Sequence, residues 1–173
     1  MNDITLRPAI LKDASFLPDL EKSAGEAFRS VPGLEWIADD EVMSADLHET
    51  YIDEGTVWVA ESSDQLVGFI TTRLESDEKS LHIIELSVES GQQGKGIGRK
   101  LMNAAMEFAS KQSLRALTLT TFRDLAFNEK FYQKLGFQTL DPDKISPRLH
   151  DILIEEAKNE LPAERRCAML MQL

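Results

Sequence analysis

Alternating apolar and polar residues in the first half of the chain predict a group of strands. The segment "DITLRPAI" alternates in this way and predicts a first strand that ends at Pro8. Further on, "TVWVAES" predicts a strand, "SSDQ" a turn, and "LVGFITTRLES" the returning strand of a hairpin. "SLHIIELSV" is rich in β-branched and apolar residues and predicts another long strand, which completes an antiparallel meander.

Helical spacing of apolar residues appears between the first strand and the meander. Asp13 is placed to cap a helix that runs to about Phe28, and Pro18 lies inside it as a kink or a break. A second helix is predicted from Asp39 to about Ile52, and a glycine closes it.

The second half of the chain alternates between helices and strands. "ALTLTTF", "FQTL" and "RCAMLMQL" predict strands, and "LAFNEKFYQKL" predicts a helix that Gly136 stops. Before "ALTLTTF", a helix is predicted from about Gly94 to Lys111, and its apolar stripe is Ile97, Leu101, Ala104, Ala105 and Phe108.

Residues 141–165 predict an inserted helical segment before the closing strand. This segment can cap the sheet or support a homodimer, and its apolar stripe is Leu149, Ile152, Leu153 and Ala157. The whole order predicts an α/β (α+β) fold with a mixed sheet flanked by helices, in one domain that covers residues 1–173.

Length and charge limit the function classes. A chain of 173 residues suits one domain with a substantial core. The formal net charge of −11 repels a phosphate backbone, so we expect no nucleic-acid partner. The same acidity mildly favours cationic partners, or it serves only to keep the protein soluble.

Three further observations concern location and redox chemistry. No apolar run approaches the roughly 20 residues that span a bilayer, so we expect no membrane association. The segment "MNDITLRPAI" lacks a basic region followed by an apolar one, which predicts no signal peptide and a cytoplasmic location. The single cysteine, Cys167, permits no internal disulfide, and the apolar run "CAMLMQL" predicts an inert buried thiol.

The stretch "VESGQQGKGIGRKL", residues 88–101, combines four glycines and three cations in an acidic chain. A glycine-rich loop that runs into a helix often holds a phosphate. Gly91 and Gly96 have the separation of a P-loop, G-x-x-x-x-G-K-[ST]. Ile97 and Gly98 stand where that loop requires Lys and Ser or Thr, so the P-loop is excluded.

The stretch also lacks the glycine spacing of a dinucleotide-binding loop. That loop requires G-x-G-x-x-G, followed by an acidic residue at the end of the next strand. Here Gly94, Gly96 and Gly98 are spaced G-x-G-x-G, and the next strand ends in Thr120 and Thr121.

The remaining pattern is Q-x-x-G-x-G, which begins at Gln93 directly after a strand and directly before an amphipathic helix. Glycines let the backbone approach a ligand, and the free N–H groups of the first helical turn attract an anion. Lys95 and Arg99 add positive charge nearby. The alternative interpretation is a solvent-exposed turn with ordinary surface cations.

Two motifs carry a resemblance to a known family. Q/R-x-x-G-x-G/A after "LSV" resembles the acetyl-CoA pyrophosphate loop of the GNAT N-acetyltransferase superfamily. "FNEKFYQKLGF" resembles that superfamily's helix after the fifth strand, with Asn128 four residues before Tyr132. The resemblance covers nearly the whole chain. The run "LTLTTFRDLAFNEKFYQKLGF" is similar to a bacterial branch of unassigned substrate, which often has Trp where this chain has Phe127.

The resemblance implies a mostly antiparallel sheet of about seven strands, splayed between the fourth and fifth. It also implies acetyl-CoA as co-substrate, with the pantetheine arm in that opening and the pyrophosphate on the amides of the loop. No metal is implied. The residues implied to contact acetyl-CoA are Leu86, Ser87, Val88, Gln93, Gly94, Lys95, Gly96, Ile97, Gly98, Arg99, Asn128 and Phe131.

Transfer of an acetyl group to an amine needs a base for the amine and an acid for the leaving thiolate. Glu85 interrupts the apolar strand "HIIELSV" and is the candidate base. Its alternative role is a strand carboxylate that pairs with a cation or faces solvent. Tyr132 matches the family tyrosine near the CoA sulfur and is the candidate acid, or else it is an amphipathic core residue.

Other polar and aromatic residues carry weaker expectations. His82 is predicted to be structural, because three residues separate it from Glu85 and a regular strand puts the two on opposite faces. His48 and His150 lack partners at metal-ligand spacing, so no metal is predicted.

The early helices contain the residues expected near the acceptor. Phe28 and Trp36 can line its pocket or belong to the core. Four carboxylates in the same region can attract a cationic amine or form a solvated acidic face, and these are Glu26, Glu35, Asp39 and Asp40.

Three functions are compatible with these patterns. The first is an acetyl-CoA-dependent N-acetyltransferase that acts on a primary amine of a small molecule or peptide. The second is a non-catalytic acyl-CoA-binding sensor on the same fold, which would not need Glu85 or Tyr132. The third is an NAD- or nucleotide-binding domain, which the glycine spacing disfavours.

Overall fold

A computed structural model describes residues 3–173 of the chain; Met1 and Asn2, which begin the segment considered above for a signal peptide, lie outside the described residues.

Seven strands form one mixed sheet. They are β1 (Ile4–Pro8), β2 (Val57–Ser62), β3 (Gln65–Glu75), β4 (Ser80–Val88), β5 (Ala116–Phe122), β6 (Gln138–Thr139) and β7 (Arg166–Gln172). Their order in the sheet is β1-β2-β3-β4-β5-β7-β6. The sheet is mostly antiparallel, but β4 and β5 run parallel, with the register Ser80↔Ala116 to His82↔Thr118. The predicted fold class is confirmed.

Five α-helices flank the sheet, in agreement with the predicted layers. They are α1 (Leu17–Gly25), α2 (Ala45–Asp53), α3 (Ile97–Lys111), α4 (Glu129–Gln133) and α5 (Pro147–Lys158). Short 3-10 segments fill the connections, and they are Leu11–Asp13, Glu26–Ser30, Glu35–Asp39, Ser90–Gln92, Pro142–Lys144 and Ala163–Arg165.

The chain divides into two compact units, and the first comprises Met1–Arg73 and Ile84–Phe108. Period-two alternation in β2 and β3 gives this unit two apolar faces. Val57, Val59 and Phe69 are buried in one cluster with residues of α1 and α2. Trp58 points the other way, where its ring centroid is 5.2 Å from that of Phe108 in α3. The helices therefore pack on both faces of β2 and β3.

The second unit comprises Leu74–Ile83 and Ala109–Leu173. Its β7 pairs with β5 along its whole length and with β6 at two positions. Helix α5 is attached to the strands by an ion pair near each end. Arg148 donates to Glu78 at 2.7 Å and to Thr118 at 3.0 Å. Near the other end, Glu156 accepts from Arg166 at 2.9 and 3.0 Å.

The predicted apolar stripe of α5 is only partly buried. Leu149 is fully buried, Ile152 and Leu153 are half-buried, and Ala157 is exposed. The helix predicted within residues 141–165 is present, and it is held by ion pairs as well as by the buried Leu149. The extent of the domain, residues 1–173, and the homodimer stay predictions.

The first helix does not begin where the sequence predicts. Asp13 does not cap it: its carboxylate accepts from Arg7 at 2.7 and 3.0 Å and from the Ile10 N–H at 2.8 Å. The α-helix starts at Leu17, and Pro18 lies in its first turn. Proline is tolerated there because the N–H that it lacks would have no partner within the helix. The predicted kink is absent, but Pro18 marks two short helical pieces, as the alternative prediction has it: Leu11–Asp13 and α1.

The second helix also begins later than predicted. A 3-10 segment, Glu35–Asp39, precedes it, and Ser44 caps α2 by accepting from the Leu47 N–H at 3.3 Å. Gly55 follows the helix with φ +74°, as expected for the glycine that closes it.

Helix α4 is shorter than its sequence pattern. Only Glu129–Gln133 is regular α-helix. Gly136, at φ +108°, ends it as predicted, because the Phe137 N–H bonds to the Tyr132 carbonyl and the Gly136 N–H bonds to the Gln133 carbonyl. These two hydrogen bonds form a Schellman motif.

Candidate active site

The glycine loop of the first unit ends in the N-terminus of α3. The Lys100 N–H bonds to the Gly96 carbonyl at 3.1 Å, so Gly96 occupies the N-cap position. Ser44 and Ser146 cap α2 and α5 with their hydroxyls, but a glycine has no side chain that can do so. Gly96 therefore has no side chain to cap the N–H groups of the first turn of α3, and the positive end of the helix dipole lies beside them.

The loop has the open backbone that a bound anion requires. Gly94 has φ +76° and Gly96 has φ +82°, values that L-residues rarely adopt. A β-carbon built on either glycine has no heavy atom within 4 Å. Ile97, the next residue, is buried and anchors the helix end in the core.

Two side chains of the loop contact the protein itself. Gln93 donates its amide N–H groups to the Val88 carbonyl at 3.0 Å and to the Ala24 carbonyl at 3.4 Å. Lys95 donates to the Gly91 carbonyl at 3.1 Å and to the Gln92 side chain at 2.8 Å. These contacts shape the loop, and they leave its backbone as the part that can bind an anion.

Glu85 lies on β4 with a partner that the sequence analysis missed. The Ser87 hydroxyl donates to the Glu85 carboxylate at 2.7 Å. Residues two apart in a strand share a face, which makes this contact possible. Glu85 is half-buried and Ser87 is buried. An "ELS" triplet in a buried strand is the sequence signal that indicates such a pair.

Gly68 of β3 is a second residue that the sequence analysis missed. A β-carbon at this position would lie 2.9 Å from the Ser87 carbonyl oxygen and 3.3 Å from side-chain carbons of Ile97 and Leu101. Glycine is therefore required where α3 and β4 both pack closely on β3. Its signal is a lone glycine inside a strand pattern, which indicates close approach of another backbone.

The second unit contains Asn128, Phe131 and Tyr132. The Asn128 amide N–H donates to Thr121 at 2.9 Å, while its Oδ1 is buried without a hydrogen-bond partner among residues 3–173. The Tyr132 ring packs edge-on against Phe131 and Phe137, at centroid distances of 5.1 and 5.7 Å. These contacts fix the ring of the predicted acid.

Glu129 supports this segment, although its sequence context suggests a surface position. The carboxylate is buried and accepts from the Asp124 N–H at 2.7 Å and from the Thr139 hydroxyl at 2.6 Å. Burial raises the pKa of Glu129, but these two hydrogen bonds and nearby cations outweigh it, and the pKa lies below its usual range. The carboxylate therefore stays charged and holds the turn before α4.

The acidic residues of the early helices are partly neutralised. Arg29 donates to Glu26 at 2.7 Å and to Asp39 at 2.8 Å. Hydrogen bonds from Arg29 lower the pKa of both carboxyls. Only Glu35 and Asp40 of the predicted cluster are left outside this contact, which weakens the case for attraction of a cationic amine. Trp36 is exposed and Phe28 is half-buried.

The histidines and the cysteine have core positions or no role in the site. His82 is buried, and its Nδ1 lies 2.9 Å from the Thr118 hydroxyl. His48 is fully buried at 3.7 Å from Glu21, and His150 is exposed. Cys167 is fully buried, and burial raises its pKa to about 11, so the thiol is protonated at neutral pH.

Within residues 3–173, no three His, Cys, Asp or Glu side chains are grouped to hold a metal ion. The same part of the chain contains no helix with the length and apolar character that crossing a membrane requires.

Comparison with known proteins places these features in a family. Residues 18–137 match the Acetyltransferase (GNAT) family. N-acetyltransferase family 8 member 2 of Rattus norvegicus is 33% identical over 99 residues, which are 54% of this chain and 44% of that protein. N-acetylaspartate synthetase of Homo sapiens is 29% identical over 96 residues, 54% of this chain and 32% of that protein. The chain spans less than half the length of these two relatives. Because they come from a rat and a human, they do not support the predicted bacterial branch.

The fold has solved counterparts. PaiA N-acetyltransferase from Thermoplasma acidophilum, crystallised in complex with coenzyme A, superposes with a TM-score of 0.72 at 18% identity, covering 99% of both chains. At this identity the similarity concerns the fold. The family match extends from α1 to the end of the Schellman motif and includes the glycine loop and the Asn128–Tyr132 segment. The chain therefore belongs to the acetyltransferase (GNAT) family.

Proposed function

We propose that the protein is an acetyl-CoA-dependent N-acetyltransferase that acts on a primary amine of a small molecule or peptide. The observation that carries the proposal is the start of α3, where a glycine occupies the N-cap and the loop before it is open to a ligand. Membership in the GNAT family supports the same activity.

In this proposal the pyrophosphate of coenzyme A accepts hydrogen bonds from backbone N–H groups between Gln93 and Arg99. A dianion suits this position because the helix dipole and the free N–H groups act together. The side chains of Lys95 and Arg99 are exposed and add positive charge. The open space at Gly94 and Gly96 lets the phosphate oxygens come close to the backbone.

In this proposal the backbone of β4 binds the pantetheine arm by strand addition. The Ser87 carbonyl lies against Gly68 of β3, and neighbouring residues of a strand direct their backbone groups to opposite sides. We therefore assign the pantetheine contacts to Leu86 and to the N–H of Val88. The Val88 carbonyl already accepts from Gln93.

Asn128 and Phe131 would contribute contacts to coenzyme A, as the family resemblance implies. A buried acceptor without a partner is unfavourable, and the Oδ1 of Asn128 would gain one if a ligand N–H reached it. Phe131 supplies apolar surface beside Tyr132.

The chemistry we propose is direct acyl transfer. The amine nitrogen attacks the thioester carbonyl carbon, a C–N bond forms, and the C–S bond breaks. Glu85 takes the proton from the amine, directly or through a water molecule, and Tyr132 gives its proton to the departing sulfur. The hydrogen bond from Ser87 orients the Glu85 carboxylate for this task. The products are the N-acetylated acceptor and coenzyme A.

The test measures binding and turnover separately. We expect coenzyme A to bind by calorimetry, and NAD and ATP at equal concentration to bind far more weakly. A panel of polyamines, amino acids, aminoglycosides and peptide N-termini would then be screened for release of free thiol from acetyl-CoA. Amino acids belong in the panel because one relative is an N-acetylaspartate synthetase.

Turnover with at least one amine supports the enzyme. Binding of coenzyme A without turnover across the panel would favour the acyl-CoA sensor. Tighter binding of NAD than of coenzyme A would overturn the assignment of the loop. The cytoplasmic location and the absence of nucleic-acid and membrane partners stay predictions.

A further inference from the structure

The last turn of α1 is hydrogen-bonded to the start of the glycine loop. The Ser90 N–H donates to the Ser23 hydroxyl at 3.0 Å, and that hydroxyl donates to the Ser90 hydroxyl at 3.3 Å. Ser23 is half-buried in the helix, whereas Ser90 is exposed. The backbone N–H and the hydroxyl of Ser90 are thus both bonded to one hydroxyl of α1, that of Ser23.

A second attachment lies three residues further along. The Gln93 amide group joins the Val88 carbonyl of β4 to the Ala24 carbonyl of α1. The segment between Ser90 and Gln93 is therefore fastened at both ends to adjacent residues of one helix, Ser23 and Ala24. Because both N–H groups of the Gln93 side-chain amide are bonded to carbonyls of the protein, this side chain shapes the loop and does not bind a ligand.

The rest of the loop has little to fix its conformation. Gly94 and Gly96 lack side chains, and the hydrogen bonds of Lys95 to Gly91 and Gln92 lie within the loop. A glycine-rich segment loses much conformational freedom when it is ordered. Fastening the loop before the ligand arrives lowers the ordering cost of binding.

The attached helix leads directly into the segment expected near the acceptor. Helix α1 ends at Gly25, and Glu26–Ser30 follows without a break. Arg29 in that segment is bonded to Asp39 of the next 3-10 segment. A change in the order of the loop can therefore pass along α1 to residues 26–39 through bonded neighbours.

We propose that Ser23 and Gln93 are positioning residues, which hold the coenzyme A loop in its binding conformation and couple it to residues 26–39. This inference rests on the proposed function, because it takes coenzyme A as the ligand of the loop. Neither residue is assigned a step in the chemistry.

The experiment uses the full chain and coenzyme A as the probe. Calorimetry gives the dissociation constant, and hydrogen exchange followed by mass spectrometry gives protection of residues 17–39 and of residues 90–100. Four variants are compared with the wild type: Ser23→Ala, Gln93→Leu, Ser23→Thr and Ser15→Ala. Ser15 is a matched control, because its hydroxyl is exposed and donates to the Lys12 carbonyl, three residues earlier, at 3.5 Å.

Ser23→Ala and Gln93→Leu should each raise the dissociation constant about 3- to 10-fold, the range expected when a hydrogen bond is lost. Ser23→Thr keeps the hydroxyl and should restore affinity, and Ser15→Ala should bind as the wild type does. Alanine favours a helix more than serine does, so Ser23→Ala should melt no lower than the wild type. A purely structural role for Ser23 would instead lower the melting temperature along with the affinity.

The exchange data test the coupling. In the wild type, coenzyme A should slow exchange in both regions; in Ser23→Ala, the slowing should persist at residues 90–100 and become smaller at residues 17–39. Equal affinity and equal protection in Ser23→Ala and the wild type would overturn this inference while leaving the proposed function intact. Absence of coenzyme A binding in the wild type would overturn both.

Discussion

Gly68 lies so close to Ser87 that a β-carbon on the glycine would be 2.9 Å from the serine's carbonyl oxygen. Ser87 belongs to the strand that carries Glu85, and the helix that receives the glycine loop packs on the same glycine through Ile97. The missing side chain of Gly68 therefore sets how closely β4 and α3 approach β3.

Gly68→Ala should move one of these elements, because backbone atoms must shift to make room. We expect a loss of about 1–3 kcal/mol in the free energy of unfolding, typical of overpacking, together with weaker binding of coenzyme A. Chemical denaturation and calorimetry measure the two effects. Gly91→Ala is the stability control: a β-carbon there meets no atom within 4 Å, so the free energy of unfolding should stay unchanged. Identical behaviour of the two variants would mean that the packing around Gly68 is not tight.

Gly96→Val should abolish binding of coenzyme A. A β-branched residue is strained at φ +82°, and its side chain would occupy the space through which a pyrophosphate approaches the backbone. Gly55→Val is a matched control, because Gly55 has φ +74° and open space but lies after α2. Both variants should lose stability, and only Gly96→Val should lose affinity in calorimetry. Unchanged affinity in a folded Gly96→Val protein would remove the loop from the coenzyme A site.

Glu85→Gln should lower kcat by about 10²–10⁴-fold, the usual contribution of a general base, and leave coenzyme A affinity nearly intact. Raising the pH should partly restore the rate, since more of the amine is then neutral before it binds. Rates measured with an active amine from about pH 6 to about pH 10 check this. A defect of the same size at every pH would assign Glu85 to positioning or attraction of the substrate.

Tyr132→Phe should also lower kcat strongly, by about 10²–10⁴-fold, because the leaving thiolate loses its proton donor. The ring contacts with Phe131 and Phe137 do not involve the hydroxyl, so the variant should fold. Tyr51→Phe removes the hydroxyl of the other tyrosine and should leave the rate unchanged. Steady-state kinetics at saturating acetyl-CoA compare the two variants, and full activity of Tyr132→Phe would exclude the tyrosine as the acid.

Asp13→Asn should destabilise the protein by about 1–3 kcal/mol at pH 7, because the carboxylate accepts charged hydrogen bonds from Arg7. Burial raises the pKa of Asp13, but the bonds from Arg7 and the Ile10 N–H outweigh it and hold the pKa below its usual value. A carboxyl whose pKa is lower in the folded state than in the unfolded state stabilises the protein at pH values above its unfolded pKa of about 3.9. This stabilisation is lost as the pH falls through the folded pKa. Urea denaturation from pH 7 downward should therefore show the two proteins converging below about pH 4. A constant difference at every pH would mean that the ionisation of Asp13 does not contribute to stability.

The sequence predicted strands better than helix starts, for a physical reason. Strands such as β2 and β5 consist of short runs of apolar and β-branched residues, and such runs indicate a strand more than any other element. Asp13 looks like a helix cap in sequence, but Arg7 of β1, six residues earlier, donates to its carboxylate instead. Pro18 could equally break a helix or begin one, and local sequence does not distinguish the two.

The candidate site also has features that could be predicted from the sequence and features that could not. The glycine loop and the Asn128–Tyr132 spacing could be found because they are short motifs. The requirement for glycine at position 68 depends on a neighbouring strand and helix, whereas the contact between Ser87 and Glu85 lies within β4 and has a local sequence signal. The partners of Gln93 lie five and sixty-nine residues away in the chain, so its role in shaping the loop could not be inferred from the motif.

The strand order of the sheet limits when the strands of the second unit can pair during synthesis. β7 follows β6 in the chain but lies between β5 and β6 in the sheet, and β6 joins the sheet through β7. During synthesis on a ribosome, β5 emerges well before β7 and must wait with that edge unpaired until residues 166–172 are released. We therefore expect the second unit to fold after translation of this segment, and nascent chains that stop short of Arg166 to expose a strand edge that chaperones recognise.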